Sequence, residues 1–472
     1  MANISNVENR TALHSGVWYT ASSFLAKGIV FITTPIFTRL MTKAEFGLFN
    51  NFVSVLSILT ILVTLNLEST LISARYDFKD KFDEYILSTL SLSSISVVSW
   101  FVLIRVFTDF FQDLLGVEAV YLSAMMVYLL ALPAINLFQA RERYLFEYKK
   151  TVAVSISISI STALLSVALV LLMTDKLAGR TIGFIIPTVV IGIILYLYLI
   201  KKGKRIDVTY WKYAIPICLP FIPHLLSLVV LNSIDRMMIT RICGAESTAL
   251  YSVGYSVGMI ITLFLTSLNS AFAPWLGNKL ANNSFSEIRR VSRVYVTAFL
   301  YISVGAMLAA PEILYIMGGK QYMETVSVIP PIAMGCACQF VYTMFVNVEQ
   351  FKKKTAGMAI ASVTAAAINY GLNFWFIPLY GYVAAAYTTL LGYVWLVASH
   401  MFLVYKLGYK DVYDYRFTSF SLFVMGLLTL GVSLLYEHTV IRYTFIVVYI
   451  VSMIAIGHWK KKAIIGFMGK RF

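Results

Sequence analysis

The sequence contains little charge for its length. Of 472 residues, 13% are charged and 59% are hydrophobic, a balance that a soluble globular protein of this size does not show. Apolar stretches long enough to cross a bilayer recur along the whole chain. The strands of a membrane barrel would be shorter and would alternate apolar with polar residues. The composition therefore predicts an all-α, polytopic membrane protein.

Long polar segments and the common nucleotide or metal motifs are also absent from the sequence. No extramembrane stretch is long enough for a catalytic domain, and no GxxxxGK[ST] phosphate loop occurs. The four cysteines lack the CxxC spacing of a zinc site, and the five histidines are scattered. We therefore predict no metal, no cofactor and no ATP-driven transport within this chain. The same absences argue against a membrane enzyme such as a polysaccharide polymerase or acyltransferase.

About fourteen membrane spans are predicted, with both termini in the cytoplasm. In chain order they are 15–40, 45–73, 84–107, 118–139, 151–173, 181–200, 213–241, 247–275, 294–317, 323–348, 355–378, 381–405, 418–436 and 441–458. In this topology the outer loops hold six basic residues, which are Lys43, Lys176, Arg180, Arg241, Lys320 and Arg442. Most other lysines and arginines fall in inner loops, as the positive-inside rule requires. The net charge of +15 thus predicts contact with membrane lipids and not with nucleic acid.

An internal repeat divides the chain into two similar parts. The sequence TRL at 38–40 recurs as TRI at 240–242, and LF at 48–49 recurs as LY at 250–251. An offset of six spans preserves orientation, so the two copies would be parallel and a substrate cavity would lie between them. We predict a six-helix N-terminal lobe at 1–206, a six-helix C-terminal lobe at 207–410, and two additional helices with a basic tail at 411–472.

Ionisable residues within the apolar spans are the first candidate functional residues, because charge at membrane depth is costly unless it is paired or faces water. Lys27, near the middle of the first span, either forms a structural ion pair or receives an anionic substrate. Asp235 and Arg236, adjacent in the seventh span, form either a lock between the lobes or an ion-coupling carboxylate and an anion contact. Glu68 is a second candidate coupling carboxylate, with a solvated interface position as its alternative. Arg39 is a further candidate for the lock.

Amides and prolines within the spans complete the candidate set. Asn232 precedes the Asp-Arg pair and is a candidate substrate contact. Asn369 and Asn373 are four residues apart, so they share one helix face and either join helices or contact a sugar. Pro220 and Pro223 free backbone carbonyls near the start of the seventh span, where they serve either as a hinge or for packing.

Four stretches of the sequence carry a family pattern: PIFTRLMTKAEFGLFN at 35–50, NSIDRMMITRICGAESTALYSVGYSVG at 232–258, SAFAPWLGNKL at 270–280, and INYGLNFWFIPLYGYVAAAYTTLLGY at 368–393. In these stretches the chain resembles the polysaccharide-repeat-unit flippases (Wzx type) of the multidrug/oligosaccharidyl-lipid/polysaccharide exporter superfamily. The last stretch departs from the family pattern at Ala384, where a second glycine is usual.

The resemblance implies a transporter, and not an enzyme, that moves an undecaprenyl-pyrophosphate-linked oligosaccharide from the cytoplasmic to the periplasmic leaflet of the bacterial inner membrane. It implies alternating access, coupling to H⁺ or Na⁺, and a polysaccharide polymerase and a chain-length regulator as partners. Lys27 and Arg236 would then meet the pyrophosphate. The alternatives are a cation-coupled multidrug exporter and a lipid II flippase of the same superfamily. The two additional helices argue against the exporter, and the scarcity of arginine on the first helices argues against the lipid II flippase.

Overall fold

The computed structural model of the protein describes residues 24–25, 28–145, 147–352 and 355–468. All regular secondary structure within these ranges is helical, so the predicted all-α class is confirmed. The helices are α1 (Gly28–Leu40), α2 (Lys43–Thr64), α3 (Leu71–Asp77), α4 (Phe82–Val106), α5 (Thr108–Leu115), α6 (Ala119–Tyr144), α7 (Tyr148–Leu172), α8 (Lys176–Gly203), α9 (Thr209–Cys218), α10 (Phe221–Cys243), α11 (Ala245–Ala281), α12 (Phe285–Leu308), α13 (Ala310–Gly318), α14 (Ile329–Phe351), α15 (Thr355–Tyr380), α16 (Tyr382–Lys406), α17 (Tyr415–Leu435) and α18 (Thr439–Met468). Three 3-10 segments, Leu67–Thr70, Lys79–Lys81 and Lys320–Val328, lie between them.

Twelve helices in the described part of the chain are long and apolar enough to cross a membrane. Their positions match the predicted second to thirteenth spans. Two shorter apolar helices, Gly28–Leu40 and Thr439–Ala455, lie where the first and fourteenth spans were predicted. The multi-pass membrane architecture expected from composition is therefore confirmed. Lys27 lies outside the described residues.

The predicted seventh span is interrupted near its start. α9 ends at Cys218 and α10 begins at Phe221, so Leu219 and Pro220 form the turn between the two helices. Pro220 has no N–H to donate to a preceding carbonyl, and Pro223 falls in the first turn of α10, where an N–H would have no acceptor within the helix. The prolines therefore fit a break at this point, and their use as a hinge stays a prediction.

The contacts within the chain define two compact units. Unit 1 comprises Met1–Val253 and Lys353–Leu396, and unit 2 comprises Gly254–Lys352 and Val397–Phe472. Unit 1 therefore contains α1 to α10, the beginning of α11, α15 and most of α16. The predicted lobes are continuous in sequence, whereas each unit combines two separate stretches of the chain that pack together. The division into two repeated lobes stays a prediction.

Within unit 1, α7 and α8 approach closely at two glycines that lie one helical turn apart. A Cβ atom on Gly183 would lie 2.4 Å from the Cα of Ser166, and one on Gly179 would lie 2.9 Å from the carbonyl oxygen of Leu169. Small residues four positions apart allow helix backbones to meet in a membrane, where apolar side chains gain nothing by leaving lipid. The absence of side chains at these two positions therefore sets the α7–α8 packing.

Arg180, which lies between these glycines in sequence, is buried in a cage of aromatic rings. Its guanidinium carbon lies 3.8, 4.1 and 4.9 Å from the ring centroids of Phe37, Phe49 and Phe46. Its Nη1 lies 3.6 Å from the sulfur of Met41. A guanidinium is weakly hydrated and stacks on aromatic faces, so burial in such a cage is favourable. Arg180 thereby ties α8 to α1 and α2.

Unit 2 is held together by aromatic stacking and by a bidentate ion pair. Phe299 of α12 stacks on Phe340 of α14 with ring centroids 4.3 Å apart. Arg442 of α18 donates to both carboxylate oxygens of Glu312 on α13, at 2.7 and 2.5 Å, and to the carbonyl oxygen of Leu308 at 2.7 Å. Bidentate arginine–carboxylate pairs are among the stronger polar contacts. This pair fixes the start of α18 beside α12 and α13.

We expect Gly183→Ala to destabilise the protein by about 1–3 kcal/mol, because the new methyl group would overlap the backbone of Ser166 and force the two helices apart. The matched control is Gly371→Ala in α15, where an added Cβ would meet nothing within 4 Å and helix propensity would improve. The measurement is the thermal unfolding midpoint of each purified variant in detergent. Equal midpoints for the two variants would contradict the proposed role of Gly183.

Candidate functional site

The carboxylate of Asp235 is fully buried between apolar spans of unit 1. Asp235 of α10 is 1% exposed and accepts three hydrogen bonds. The hydroxyls of Tyr251 on α11 and Thr389 on α16 donate to its Oδ2, each at 2.6 Å, and Asn373 Nδ2 on α15 donates to its Oδ1 at 2.6 Å. A carboxylate removed from water is costly unless such donors replace the lost solvation. Four helices therefore converge on this one side chain.

Two asparagines of α15 extend the hydrogen bonds around the carboxylate. Asn369 and Asn373 are both fully buried, and Asn373 Nδ2 lies 3.3 Å from Asn369 Oδ1. Asn369 Nδ2 donates to Thr389 Oγ1 at 3.2 Å, and the Thr388 hydroxyl donates to Asn373 Oδ1. These side chains form one connected network, which we call the Asp235 cluster: Asp235, Tyr251, Asn369, Asn373, Thr388 and Thr389.

Asn232 and Arg236 lie beside the cluster on the same helix as Asp235. Asn232 Oδ1 accepts a hydrogen bond from the Tyr393 hydroxyl of α16 at 2.7 Å. Arg236 donates from Nη1 to the Asn232 carbonyl oxygen at 3.1 Å and from Nε to Ser252 Oγ at 3.3 Å. Both residues are half-buried. Arg236 thus places a positive charge next to the buried carboxylate and offsets part of its charge.

The Asp235 cluster presents oxygen atoms of a carboxylate, two amides, two threonine hydroxyls and a phenol. Such hard oxygen ligands suit a proton or an alkali or alkaline-earth cation, and they do not suit metals that prefer sulfur or imidazole. Among the described residues, no group of three or more His, Cys, Asp or Glu side chains is placed to hold a metal ion. Within the cluster, the Asp235 carboxylate is the group whose negative charge a proton or a bound cation would neutralise.

The remaining predicted residues make their contacts elsewhere. Glu68, in the 3-10 segment after α2, is half-buried and accepts a hydrogen bond from Asn136 Nδ2 at 3.0 Å. Arg39 is exposed and donates to the carbonyl oxygen of Pro35 at 2.8 Å. The structure thus brings together five of the residues singled out from sequence: Asn232, Asp235, Arg236, Asn369 and Asn373.

The hydroxyl-bearing members of this region were not predicted from the sequence. Thr388 and Thr389 are adjacent polar residues in an apolar span, and Tyr251 occupies a position of the internal repeat. Tyr393 lies one turn beyond Thr389. A polar side chain within a membrane span needs a polar partner. Two adjacent threonines in an apolar span were therefore the feature of the sequence that indicated a polar contact at this position.

Unit 2 carries a separate apolar groove between α12, α17 and α18, with a volume of about 450 Å³. Its walls are mostly aliphatic and aromatic side chains, among them Leu300, Val304, Phe420, Val424 and Phe445. The Tyr449 hydroxyl on α18 donates to the carbonyl oxygen of Tyr301 on α12 at 2.8 Å, which fixes the distance between those helices. α17 and α18 are the two additional helices predicted from sequence. A lining of this kind suits a hydrocarbon chain.

We expect Thr389→Val to destabilise the protein by about 1.5–3 kcal/mol, because it leaves a buried carboxylate without one of its donors. Thr429→Val is the matched control, since Thr429 is equally buried and its hydroxyl donates to the Met425 carbonyl oxygen of its own helix. The thermal unfolding midpoint in detergent measures both variants. A loss of stability at Thr429 as large as that at Thr389 would contradict the importance of the Asp235 cluster.

The chain matches two protein-family models. The model described as polysaccharide biosynthesis protein matches residues 12–279, and the MatE model matches residues 220–375. An uncharacterized membrane protein of Haemophilus influenzae is 22% identical over 370 residues, covering 75% of this chain and 87% of that protein. The match to the polysaccharide biosynthesis protein model covers more than half of the chain and therefore shows the family.

Two solved structures extend the comparison to the fold. The chain is similar to the lipid II flippase MurJ in an inward closed conformation, with a TM-score of 0.71 and 13% identity over 95% of this chain and 100% of that one. It is also similar to an inward-facing multidrug resistance MATE family transporter of the MOP superfamily, with a TM-score of 0.62 and 13% identity over 81% and 94% of the two chains. At these identities the likeness concerns the fold alone. The superfamily resemblance seen in the sequence is thereby confirmed, and the chain belongs to the polysaccharide biosynthesis protein family, with the transporter fold of the MOP superfamily.

Proposed function

We propose that this protein flips undecaprenyl-pyrophosphate-linked oligosaccharide repeat units from the cytoplasmic to the periplasmic leaflet of the bacterial inner membrane by ion-coupled alternating access. The observation that carries the proposal is the apolar groove of unit 2, considered together with the family match. A lipid-linked substrate needs a path for its hydrocarbon chain as well as one for its polar headgroup. The groove supplies the first.

The groove also favours a lipid-linked substrate over a soluble drug. It is built by α17 and α18 against α12, and these two helices are the ones that a twelve-helix exporter would lack. Exposed apolar side chains on both helices, such as Phe423 and Val447, leave the neighbouring surface in contact with lipid. A hydrocarbon chain could therefore enter the groove sideways from the bilayer while its polar end stays with the protein.

Contacts with the pyrophosphate and the sugars are assigned to residues within the spans. Arg236 is half-buried and carries a bidentate donor group, which is the geometry that phosphate oxygens favour. Lys27 and Asn232 are the further candidates for the headgroup. Asn369 and Asn373 are fully buried in the Asp235 cluster. We therefore propose that these two amides shape the ion site in the present conformation.

Asp235 is the proposed coupling carboxylate, and H⁺ or Na⁺ is the proposed coupling ion. The ionised Asp235 carboxylate accepts hydrogen bonds from one donor on each of α11, α15 and α16. Protonation, or a bound cation, would weaken the attraction between the carboxylate and these donors, so the relative stability of two helix arrangements would depend on ion binding. Glu68 and Arg39, which lie outside the cluster, are the secondary candidates.

The proposal includes an orientation in the membrane and two protein partners. The positive-inside pattern of the loops predicts that both termini are cytoplasmic. A polysaccharide polymerase and a chain-length regulator act on the flipped repeat units, and no cofactor takes part.

A strain that lacks the protein should accumulate lipid-linked repeat units at the cytoplasmic face and lose its surface polysaccharide. Val424→Trp places an indole ring in the apolar groove and should exclude the hydrocarbon chain. When this variant is expressed in the deletion strain, we expect the amount of surface polysaccharide to be lower than with the wild type by at least about tenfold. Leu427→Trp on the same helix is the matched control, because Leu427 is exposed outside the groove. Surface polysaccharide is quantified at equal amounts of membrane-inserted protein.

An unchanged surface polysaccharide in the deletion strain would contradict the proposed substrate. Changed resistance to lipophilic cations in its place would favour the multidrug exporter. If only lipid II accumulated, the lipid II flippase would be favoured.

Asp235→Asn should abolish ion-driven flipping in proteoliposomes while leaving substrate binding within about threefold, because the amide keeps the size of the side chain and removes its titratable charge. Flipping by the wild type should respond to an imposed proton or sodium gradient, and the cation that gives the response identifies the coupling ion. Glu349→Gln is the control for loss of a buried carboxylate, because Glu349 is as buried as Asp235 and contacts His400 in unit 2, outside the Asp235 cluster. An Asp235→Asn protein that keeps its full response to the gradient would remove Asp235 from the coupling role.

A further inference from the structure

A polar cavity of about 290 Å³ opens in unit 1 where α4 begins and α8 ends. This end of the unit lies on the side that the positive-inside pattern predicts to be cytoplasmic. Basic side chains from four separate segments line the cavity: Arg75 from α3, Lys79 and Lys81 from the following 3-10 segment, Arg141 from α6, and Lys202 and Lys204 from the end of α8. The cavity therefore gathers positive charge that is dispersed in the sequence.

The acidic groups of the cavity offset only part of this charge. Asp83 accepts two hydrogen bonds from Arg141, at 2.6 and 3.1 Å, and Arg141 also donates to the buried Glu142. These groups satisfy one another at the inner wall. The five other basic residues share the cavity with only two further carboxylates, those of Asp80 and Glu84. An excess of positive charge therefore faces the opening.

The backbone at the cavity supports the same arrangement. Lys204 has a φ of 60°, a left-handed conformation that is uncommon for a residue with a side chain, and this turn redirects the chain as α8 ends. Lys202, in the last turn of α8, and Lys204, at this turn, both line the cavity. The first turn of α4 lines it as well, and the N-cap residue Lys81 makes no side-chain capping hydrogen bond. Asp83 and Glu84 stand in this first turn and offset the positive end of the α4 dipole, so the excess charge of the cavity comes from the basic side chains.

Apolar side chains beside the cavity indicate a ligand at the membrane surface. Ile72 and Tyr76 are four residues apart on α3, so they share one helix face, and both are strongly exposed. Arg75 of the cavity lies on the same short helix. Aromatic and aliphatic side chains next to basic ones are typical of the bilayer interface, where the apolar parts enter the lipid and the cations meet the headgroups.

We propose that this cavity binds the phosphate of a lipid headgroup in the adjacent leaflet. The phosphate has two sources: a bulk anionic phospholipid, which would anchor this end of unit 1, or the pyrophosphate of the lipid-linked substrate, which would dock there before transport. The second source rests on the proposed function, and the first does not. Lysine ammonium groups bind phosphate as mobile point charges, which suits a site with room for several headgroup positions.

The test uses the full-length protein in detergent micelles, with native mass spectrometry to measure bound lipid. The probes are phosphatidylglycerol, phosphatidylcholine and undecaprenyl pyrophosphate. The site variant is Lys79→Gln/Lys81→Gln/Lys202→Gln. The control variant, Lys149→Gln/Lys212→Gln/Lys410→Gln, removes the same charge from exposed lysines of the predicted cytoplasmic side that do not line the cavity. Because each lysine near a headgroup contributes about fivefold in affinity, the site variant should bind its lipid at least about tenfold more weakly, and the control should change by less than about twofold.

Weaker binding of phosphatidylglycerol in the site variant alone assigns the cavity to bulk phospholipid, and this result stands even if the protein flips nothing. Weaker binding of undecaprenyl pyrophosphate alone assigns it to the substrate. Equal losses in the site and control variants would overturn the proposal, because general surface charge would then explain the binding. The wild type gives a test that needs no variant: its preference for phosphatidylglycerol over phosphatidylcholine should fall as salt is added, and the absence of any lipid preference would also overturn the proposal.

Discussion

Removal of one carboxylate from water is the constraint on which the organisation of unit 1 depends. Asp235 is buried in an apolar span, so neighbouring helices must supply the donors that water would otherwise provide. Its partners come from α11, α15 and α16, and each must present a donor at the same depth. A slide of one helical turn, about 5.4 Å, would separate any of these donors from the carboxylate. The cluster therefore fixes the registers of four helices at once.

The same constraint links stability to the proposed transport cycle. A network that is complete in one arrangement of helices is expensive to open while its carboxylate is charged and cheaper to open when that charge is neutralised. A second connection in the same unit is of a different kind: the rings of Phe37, Phe46 and Phe49 surround the Arg180 guanidinium and tie α8 to α1 and α2 by cation–π contacts. Unit 1 is thus held by a hydrogen-bonded carboxylate on α10 and by a guanidinium on α8 that aromatic rings enclose.

Some members of the site could be found from sequence and others could not, for a physical reason. A carboxylate, a guanidinium or an amide in an apolar span is rare, so Asp235, Arg236 and Asn373 were evident. A hydroxyl in a span is a weaker indication of a contact between helices, because many hydroxyls donate a hydrogen bond to a carbonyl oxygen of their own helix. Thr429 does so with the Met425 carbonyl oxygen. Thr389 has the same residue type and bonds instead to Asp235 on another helix. Only the packing of the helices distinguishes these two threonines.

The sequence alone determined the all-helical class, the multi-pass architecture and the superfamily resemblance, because the free energy of placing a segment in a membrane depends mainly on its composition and length. Tertiary structure decided which polar residues meet. Asn373 and Thr389 lie 138 and 154 positions from Asp235 along the chain, and no local pattern records such a distance. Tertiary structure also formed the apolar groove and the basic cavity, whose walls come from separate helices and exist only when those helices pack.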